Sequence, residues 1–419
     1  MQFNVLGGSF FKKRKLFSLF DYHAMIWKTL FWLSCFLVFY NYAGYAIIVY
    51  LLNKLNRKRR KAFSADFYPT VSFIVAAFNE EDCIEKKIIN SLSLNYPPDK
   101  IEFLFITDGS SDGTMDVIQK YSLIQLLHKP DRNGKTAAVN RAVEIATNEV
   151  LIFSDANTIL NQDAIQNITR HYCDKKTGGV AGEKKVLPSL EGSDQVGASE
   201  GLYWKYESFL KQLDSDFYSV VGAAGELFSL RRELYQPVPK KVILDDFIIS
   251  MWVTLKGYRI VYEPNAYAME LPSFSIEDEH KRKVRIAAGG FQSIAMLTPL
   301  FLFWKHFRLS FLYFSHRVFR WMLSPLCLIL AFISNLILIF ISNASLYKWL
   351  FAAQVVFYIM ALAASMFSSG SKAFKIFKLA YYFVFMNVSV VQGFFRFLRG
   401  RQPAAWEKAK RNQPVMDVK

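Results

Sequence analysis

Four stations along this chain carry side chains suited to chemistry, and they come in a fixed order. Asp108 stands in Thr107-Asp108-Gly109-Ser110-Ser111-Asp112-Gly113-Thr114. Asp155-Ala156-Asn157 follows, then Asp245-Asp246, and last Arg317-Val318-Phe319-Arg320-Trp321 at the edge of a long apolar run. A carboxylate can ligate a hard cation or accept a proton. A guanidinium can grip a diphosphate through paired hydrogen bonds, and an indole can stack on a sugar ring.

Each station also has an ordinary reading when taken singly. Asp, Gly and Ser are turn residues, so the segment around Asp108 reads as a strand-to-helix turn. Its functional reading is a carboxylate at a strand end, facing a nucleotide base or ribose. Ala76-Ala77-Phe78-Asn79-Glu80 would share that pocket, which makes Asn79 and Glu80 donor-binding candidates. Asp155 and Asn157, one residue apart, can face the same ion. Mg²⁺ or Mn²⁺ needs few protein ligands when substrate phosphates supply the rest; the plain alternative is a solvated turn. Lys135, in Arg132-Asn133-Gly134-Lys135-Thr136, can neutralise a diphosphate, although the spacing is not that of a Walker loop. Asp245-Asp246 is either a helix N-cap pair or carries a general base. The helix dipole would keep such a base ionised, at a cost in basicity unless burial compensates. Arg320 and Trp321 suit a membrane boundary on residue type alone.

The elements that must position these stations are legible. Val71–Ala76 reads as a strand, followed by Asn79 and the acidic helix start Glu80-Glu81-Asp82. Ile101–Thr107 reads as a second strand ending at Asp108, Leu123–Leu127 as a third, and Val150–Phe153 as one leading to Asp155. Thr136–Ala146 and Phe247–Lys256 read as helices. The alternation predicts an α/β domain with a mostly parallel sheet. Side chains at the carboxyl ends of strands are where such sheets bind ligands.

Composition adds a membrane. The chain has 419 residues, 52% of them hydrophobic, and a net charge of +16; its mean hydropathy is +0.15. Nucleic acid is one partner such a charge suggests. Here, however, the basic residues crowd beside apolar runs, as in Lys12-Lys13-Arg14-Lys15, Arg57-Lys58-Arg59-Arg60-Lys61 and the tail after Arg396. That favours anionic membrane lipids over nucleic acid. The four cysteines are scattered, and neither they nor the six histidines have metal-ligand or disulfide spacing.

The expected organisation is a basic segment over 1–25, an anchor over 26–52 and a cytoplasmic catalytic domain over 53–285. Interface helices over 286–321, spanning helices over 322–397 and a basic tail over 398–419 complete it. Met322–Ile341, Leu346–Phe367 and Phe374–Phe395 are the C-terminal span candidates, while Ile286–Phe303 is either an amphipathic interface helix or a poor span. Three C-terminal crossings would place the basic tail outside, against the preference of Lys and Arg for the inside.

Together the stations resemble those of membrane-bound family 2 glycosyltransferases with a GT-A catalytic fold, the group of cellulose, chitin, hyaluronan and poly-N-acetylglucosamine synthases. The resemblance spans about Val71 to Trp321. It rests on Val75-Ala76-Ala77-Phe78-Asn79-Glu80-Glu81, Thr107–Thr114, Gly134-Lys135-Thr136-Ala137-Ala138-Val139-Asn140, Ser154-Asp155-Ala156-Asn157, Leu244-Asp245-Asp246 and the closing Arg-x-x-Arg-Trp. It implies that Asp108 binds the nucleotide, Asp155 a divalent ion on the donor diphosphate, and Asp246 the acceptor's proton. Arg320 and Trp321 would close the site, and Gly225-Glu226 would line the acceptor. It also implies a nucleotide-diphospho-sugar donor, expected to be a UDP-sugar, and inversion to a β-linked polysaccharide.

The chain departs from that family at three places. Asn157 stands where Asp is frequent, Asp245-Asp246 where Glu-Asp is usual, and Arg317 where Gln is usual. A neutral Asn157 makes a weaker metal ligand. Single-sugar transfer to a lipid-linked acceptor is the alternative within the class. Outside it stand a transporter, disfavoured by the few charges in the apolar runs, and a non-catalytic subunit, disfavoured by the filled acidic stations.

Overall fold

The computed structural model describes residues 6–55, 67–187, 194–271, 275–366 and 374–400. The basic run Arg57–Lys61 and the basic tail from Arg401 onward lie outside the described residues. The chain divides into two compact units. One comprises Ala46–Arg317 and Ser389–Lys419, the other Met1–Tyr45 and Val318–Val388.

In chain order the helices begin with α1 (Leu6–Phe39), α2 (Tyr45–Leu55), α3 (Glu81–Leu92), α4 (Thr114–Gln119), α5 (Lys135–Ile145) and α6 (Ala164–Thr169). They continue with α7 (Asp194–Phe217), α8 (Asp245–Leu255), α9 (Ile276–Met296), α10 (Phe303–Tyr313), α11 (Ser324–Ile341), α12 (Ser345–Met366) and α13 (Phe374–Leu398). The strands are β1 (Val71–Ala77), β2 (Ile101–Asp108), β3 (Ile124–Lys129), β4 (Val150–Asp155), β5 (Ile159–Leu160), β6 (Thr177–Val186), β7 (Leu227–Arg231) and β8 (Arg259–Glu270).

The larger unit is built on one eight-stranded sheet of order β3-β2-β1-β4-β7-β6-β8-β5. β3, β2, β1 and β4 run parallel, with Ala76 opposite Asp155 and Asp108 opposite Lys129. β7 then turns antiparallel to both β4 and β6. Alternation along β1 sends Val71, Phe73, Val75 and Ala77 into one core with Ile84 and Ile88 of α3 and Ile165 and Ile168 of α6. The buried stripe of α3, however, reads Ile84, Lys87, Ile88, Ser91, a helical spacing with a lysine in it.

The smaller unit is helical. Phe31 of α1 packs with Ala331 and Leu338 of α11 and Tyr347 of α12. Two of its polar side chains pair across helices, as favoured in apolar surroundings. Asn41 Nδ2 donates to Ser324 Oγ at 2.6 Å, and Asn335 Nδ2 to Gln354 Oε1 at 3.0 Å.

Among the described residues four helices are long and apolar enough to cross a membrane: Tyr22–Leu55, Phe303–Ile341, Ser345–Met366 and Ile376–Leu398. They overlap the candidate anchor over 26–52 and the three C-terminal span candidates. Ile286–Phe303 is not among them. It falls on α9, which opens with Glu277, Asp278 and Glu279, and on the short turn Thr298–Phe301.

Candidate active site

β1 lies between β2 and β4, so the chain leaves β1 toward one side and later returns on the other. That topological switch opens a crevice at the carboxyl ends of the strands, where the first three acidic stations fall. At the end of β1, Asn79 adopts φ 54°, a left-handed conformation that asparagine tolerates. Its Oδ1 accepts from the Ser111 N–H at 2.8 Å, and its own N–H donates to Ser110 Oγ at 3.1 Å. Glu80 is buried, and its N–H donates to Thr114 Oγ1 at 2.8 Å. Asn79 and Glu80 therefore lace the loop after β1 to the loop after β2.

Asp108 is only 3% exposed. Its Oδ2 accepts from the N–H groups of Asn133 (2.8 Å) and Gly134 (2.6 Å), and Arg141 Nη2 lies 3.3 Å from Oδ1. The carboxylate thus shapes the loop that opens α5. Gly134, at φ 92°, makes the turn, and Lys135 follows as the first residue of the helix.

Lys135 reaches across the crevice to Asp155, with Nζ 2.5 Å from Oδ1. Asp246, at the start of α8, points to the same place. A Cβ added to Gly225 would lie 3.0 Å from Lys135 Nζ, 3.2 Å from Asp246 Oδ2 and 3.8 Å from Asp155 Oδ1. Lys135, Gly225, Asp245 and Asp246 also line one small cavity. Burial works against the charge of Lys135, but Asp155, then Asp245 and Asp246, outweigh it and push its pKa up. Burial raises Asp246 to about 7, helped by Asp245 and opposed by Lys135. The dipole penalty expected of a helix-terminal aspartate is therefore more than offset.

The donor set around Asp155 fits a hard divalent cation. Asn157 turns its Nδ2 toward Glu270 Oε1 at 3.5 Å, so its amide oxygen is the atom it could offer a cation. Among the described residues no three His, Cys, Asp or Glu side chains form a metal cage. One carboxylate and one amide, completed by phosphate oxygens, is the arrangement such cations use on nucleotides. The missing Cβ of Gly225 leaves the cradle that the group would fill.

On the far side of the crevice Glu226 accepts from Lys184 Nζ at 2.6 Å, and the same ammonium bonds Glu270. Burial opposes ionisation of Glu226, but Lys184 prevails and holds it well below the usual carboxylate range. Glu226 is thus a fixed anion, unlike Asp246. Lys184, Glu270 and Lys87 belong to no motif. Only the lysine inside the apolar stripe of α3 left a mark in the sequence, and periodicity alone reveals it.

Arg317, of the closing motif, is tied within this unit. Its Nη1 sits 2.7 Å from Glu207 Oε1 on α7, and its Nε donates to the Val221 carbonyl at 3.1 Å. Arg320 and Trp321 belong to the smaller unit, on the helical stretch Phe314–Leu323.

Residues 72–238, the segment that builds this crevice up to the loop before α8, match the family description Glycosyl transferase family 2. The chain carries a family 2 glycosyltransferase domain. Curated relatives agree. The poly-beta-1,6-N-acetyl-D-glucosamine synthase of Staphylococcus aureus (strain MSSA476) is 28% identical over 253 residues, 58% of each chain. The synthase of the same name from Staphylococcus epidermidis is 26% identical over 227 residues, 52% of this chain and 54% of the relative. The chain thus spans somewhat over half the length of the curated relatives it matches. Among solved structures, the mannosyltransferase PcManGT from Pyrobaculum calidifontis, in complex with GDP-Man and Mn²⁺, superposes with a TM-score of 0.65. It is 19% identical and covers 89% of this chain and 100% of its own. The expected GT-A α/β fold is therefore the fold of the family 2 domain. The family match ends before Asp245 and Asp246.

Proposed function

We propose that the chain is an inverting, membrane-bound glycosyltransferase that moves a sugar from a nucleotide-diphospho-sugar to a growing β-linked polysaccharide. The observation that carries this reading is the convergence of Lys135, Asp155 and Asp246 around Gly225. The acceptor oxygen attacks the anomeric carbon from the face opposite the diphosphate. Asp246 takes the hydroxyl proton, and the anomeric C–O bond breaks with its electron pair leaving on the nucleotide diphosphate. Lys135 neutralises that departing charge, and one inversion turns an α-linked donor into a β-linked product. Asp155 and the Asn157 amide oxygen would hold Mg²⁺ or Mn²⁺, which when bound supplies Lewis-acid stabilisation of the diphosphate.

Asp108, Asn79 and Glu80 serve the donor side by fixing the loops around the nucleotide. Gly225 and Glu226 border the acceptor, and the family resemblance assigns Arg320 to the donor and Trp321 to the acceptor. The catalytic domain faces the cytoplasm, where nucleotide sugars are made. The likeness to poly-β-1,6-N-acetylglucosamine synthases supports a UDP-activated N-acetylglucosamine as the first donor to test.

Membranes containing the protein, incubated with labelled nucleotide sugars and Mn²⁺ or Mg²⁺, should yield a labelled high-mass product that a β-specific glycosidase degrades. A labelled lipid carrying one sugar would replace the polymerase reading with single transfer. Absence of incorporation from every donor by folded protein would remove the enzyme reading.

A further inference from the structure

Lys87 is completely buried on α3, beneath the turn that carries Asp155 and Asn157. An ammonium carries three donors and no acceptor, and it is costly to bury unless each is matched. Here each is matched by the residues that bracket the turn. Nζ lies 2.7 Å from Ser154 Oγ, 3.0 Å from the Thr158 carbonyl and 3.3 Å from Thr158 Oγ1. Those acceptors are themselves committed to the site. The Thr158 hydroxyl donates to the Asp155 carbonyl at 2.9 Å, and the Ser154 hydroxyl donates to the Glu226 carbonyl at 3.0 Å. The Phe73 ring lies 5.5 Å away on another side of the ammonium. A single buried lysine thus pins both ends of the Asp155–Asn157 turn and, through Ser154, the Gly225–Glu226 stretch opposite.

We propose that Lys87 is a positioning residue for the cation and donor diphosphate, acting as a buried hydrogen-bond donor that sets the Asp155–Asn157 turn in register with Gly225–Glu226. It touches no reacting atom. The inference rests on the assignment of Asp155 and Asn157 to the cation. Groups in this position behind a metal site change metal affinity by about 10- to 100-fold when removed. A leucine or methionine in the same stripe would complete the core without holding the turn, which explains why a lysine stands among Ile84, Ile88 and Ser91.

The test is Mn²⁺ binding to the full-length protein in detergent with UDP, read from the free-Mn²⁺ EPR signal, with melting temperature measured in parallel. Wild type should bind. Lys87→Met, close in shape and without charge, should weaken Mn²⁺ about tenfold or more. It should also lower kcat at saturating Mn²⁺, because the turn is mis-set even when filled. If wild type binds no Mn²⁺, the cation assignment itself falls, and this inference with it. A folded Lys87→Met with wild-type Mn²⁺ affinity overturns the inference alone and leaves the assignment standing. Should Lys87→Met not fold, Thr158→Val and Ser154→Ala decide, since each removes one acceptor of the ammonium. Weaker Mn²⁺ binding in both supports the proposal, and a lowered melting temperature with unchanged affinity overturns it.

Discussion

At the residue scale, chemistry depends on how two aspartates and a lysine share a small space. Asp246 is raised to about 7 by burial and by Asp245, while Lys135 pulls it down. Only the ionised form accepts a proton, so kcat/KM should rise with pH and level off once Asp246 has lost its proton, near 7. Replacing Lys135 by Met removes the lowering influence, so the acid limb of the pH profile should move to higher pH. Asp246→Asn should lose about 10²- to 10⁴-fold in turnover while calorimetry shows UDP binding retained. Gly225→Ala is a subtler probe. Its new Cβ would stand 3.0 Å from Lys135 Nζ and 3.2 Å from Asp246 Oδ2. Those atoms must shift by a few tenths of an ångström, and kcat should fall about tenfold or more with little change in melting temperature.

At the element scale, the start of α8 is held in place by a clamp that the motif alone did not disclose. Arg317 joins Glu207 of α7 to the Val221 carbonyl and lies 6.0 Å over the ring of Phe247, the residue after Asp246. His316 stands beside the same Glu207 at 3.3 Å and bonds Asp214 at 2.5 Å. Removing the arginine leaves Glu207 buried with part of its compensation gone. Arg317→Ala should cost about 3 kcal/mol and lower the melting temperature by several degrees in a thermal scan. Arg317→Lys should recover only part of that, because one ammonium lacks the fork that serves two separated acceptors. The glutamine usual in this family carries no charge, so Glu207 and Arg317 form a pair that this chain needs together.

At the scale of the whole molecule, apolar side chains are left facing outward on the long helices. Phe340 is 80% and Trp349 75% exposed, far beyond what a water-facing helix carries in clusters. With four helices long enough to span, the chain should stay in the membrane pellet after alkaline carbonate extraction and leave it only with detergent. Release by carbonate alone would contradict a spanning arrangement. The sheet of the larger unit needs no bilayer to explain the burial of its Val71-Phe73-Val75 face, since α3, α4 and α6 of the same unit cover it.

Much of this was legible in the chain itself. Short continuous apolar runs marked β1, β2 and β4 to within a residue or two, because a strand buried on both faces must be written in Val, Ile and Phe. Acidic residues at their ends, and long uncharged runs elsewhere, fixed the class of fold and the presence of candidate spans. Tertiary structure decided which partners each polar group meets. Asp108 reads in the sequence as a ligand at a strand end, and in the fold its Oδ2 accepts from the Asn133 and Gly134 N–H groups while Oδ1 faces Arg141. Asn79 and Glu80 likewise serve the loops. Glu226 and Asp246 look alike as acids, but a buried lysine holds one ionised while burial and a neighbouring acid raise the other. Lys184 sits far in sequence from the carboxylates it serves, so no local pattern could announce it, and Lys87 shows only as a break in the apolar stripe of α3. Spacing along a chain sets the type of an element. The pairing of charges across the fold sets the protonation and position of each group, and that pairing exists only once the sheet has formed.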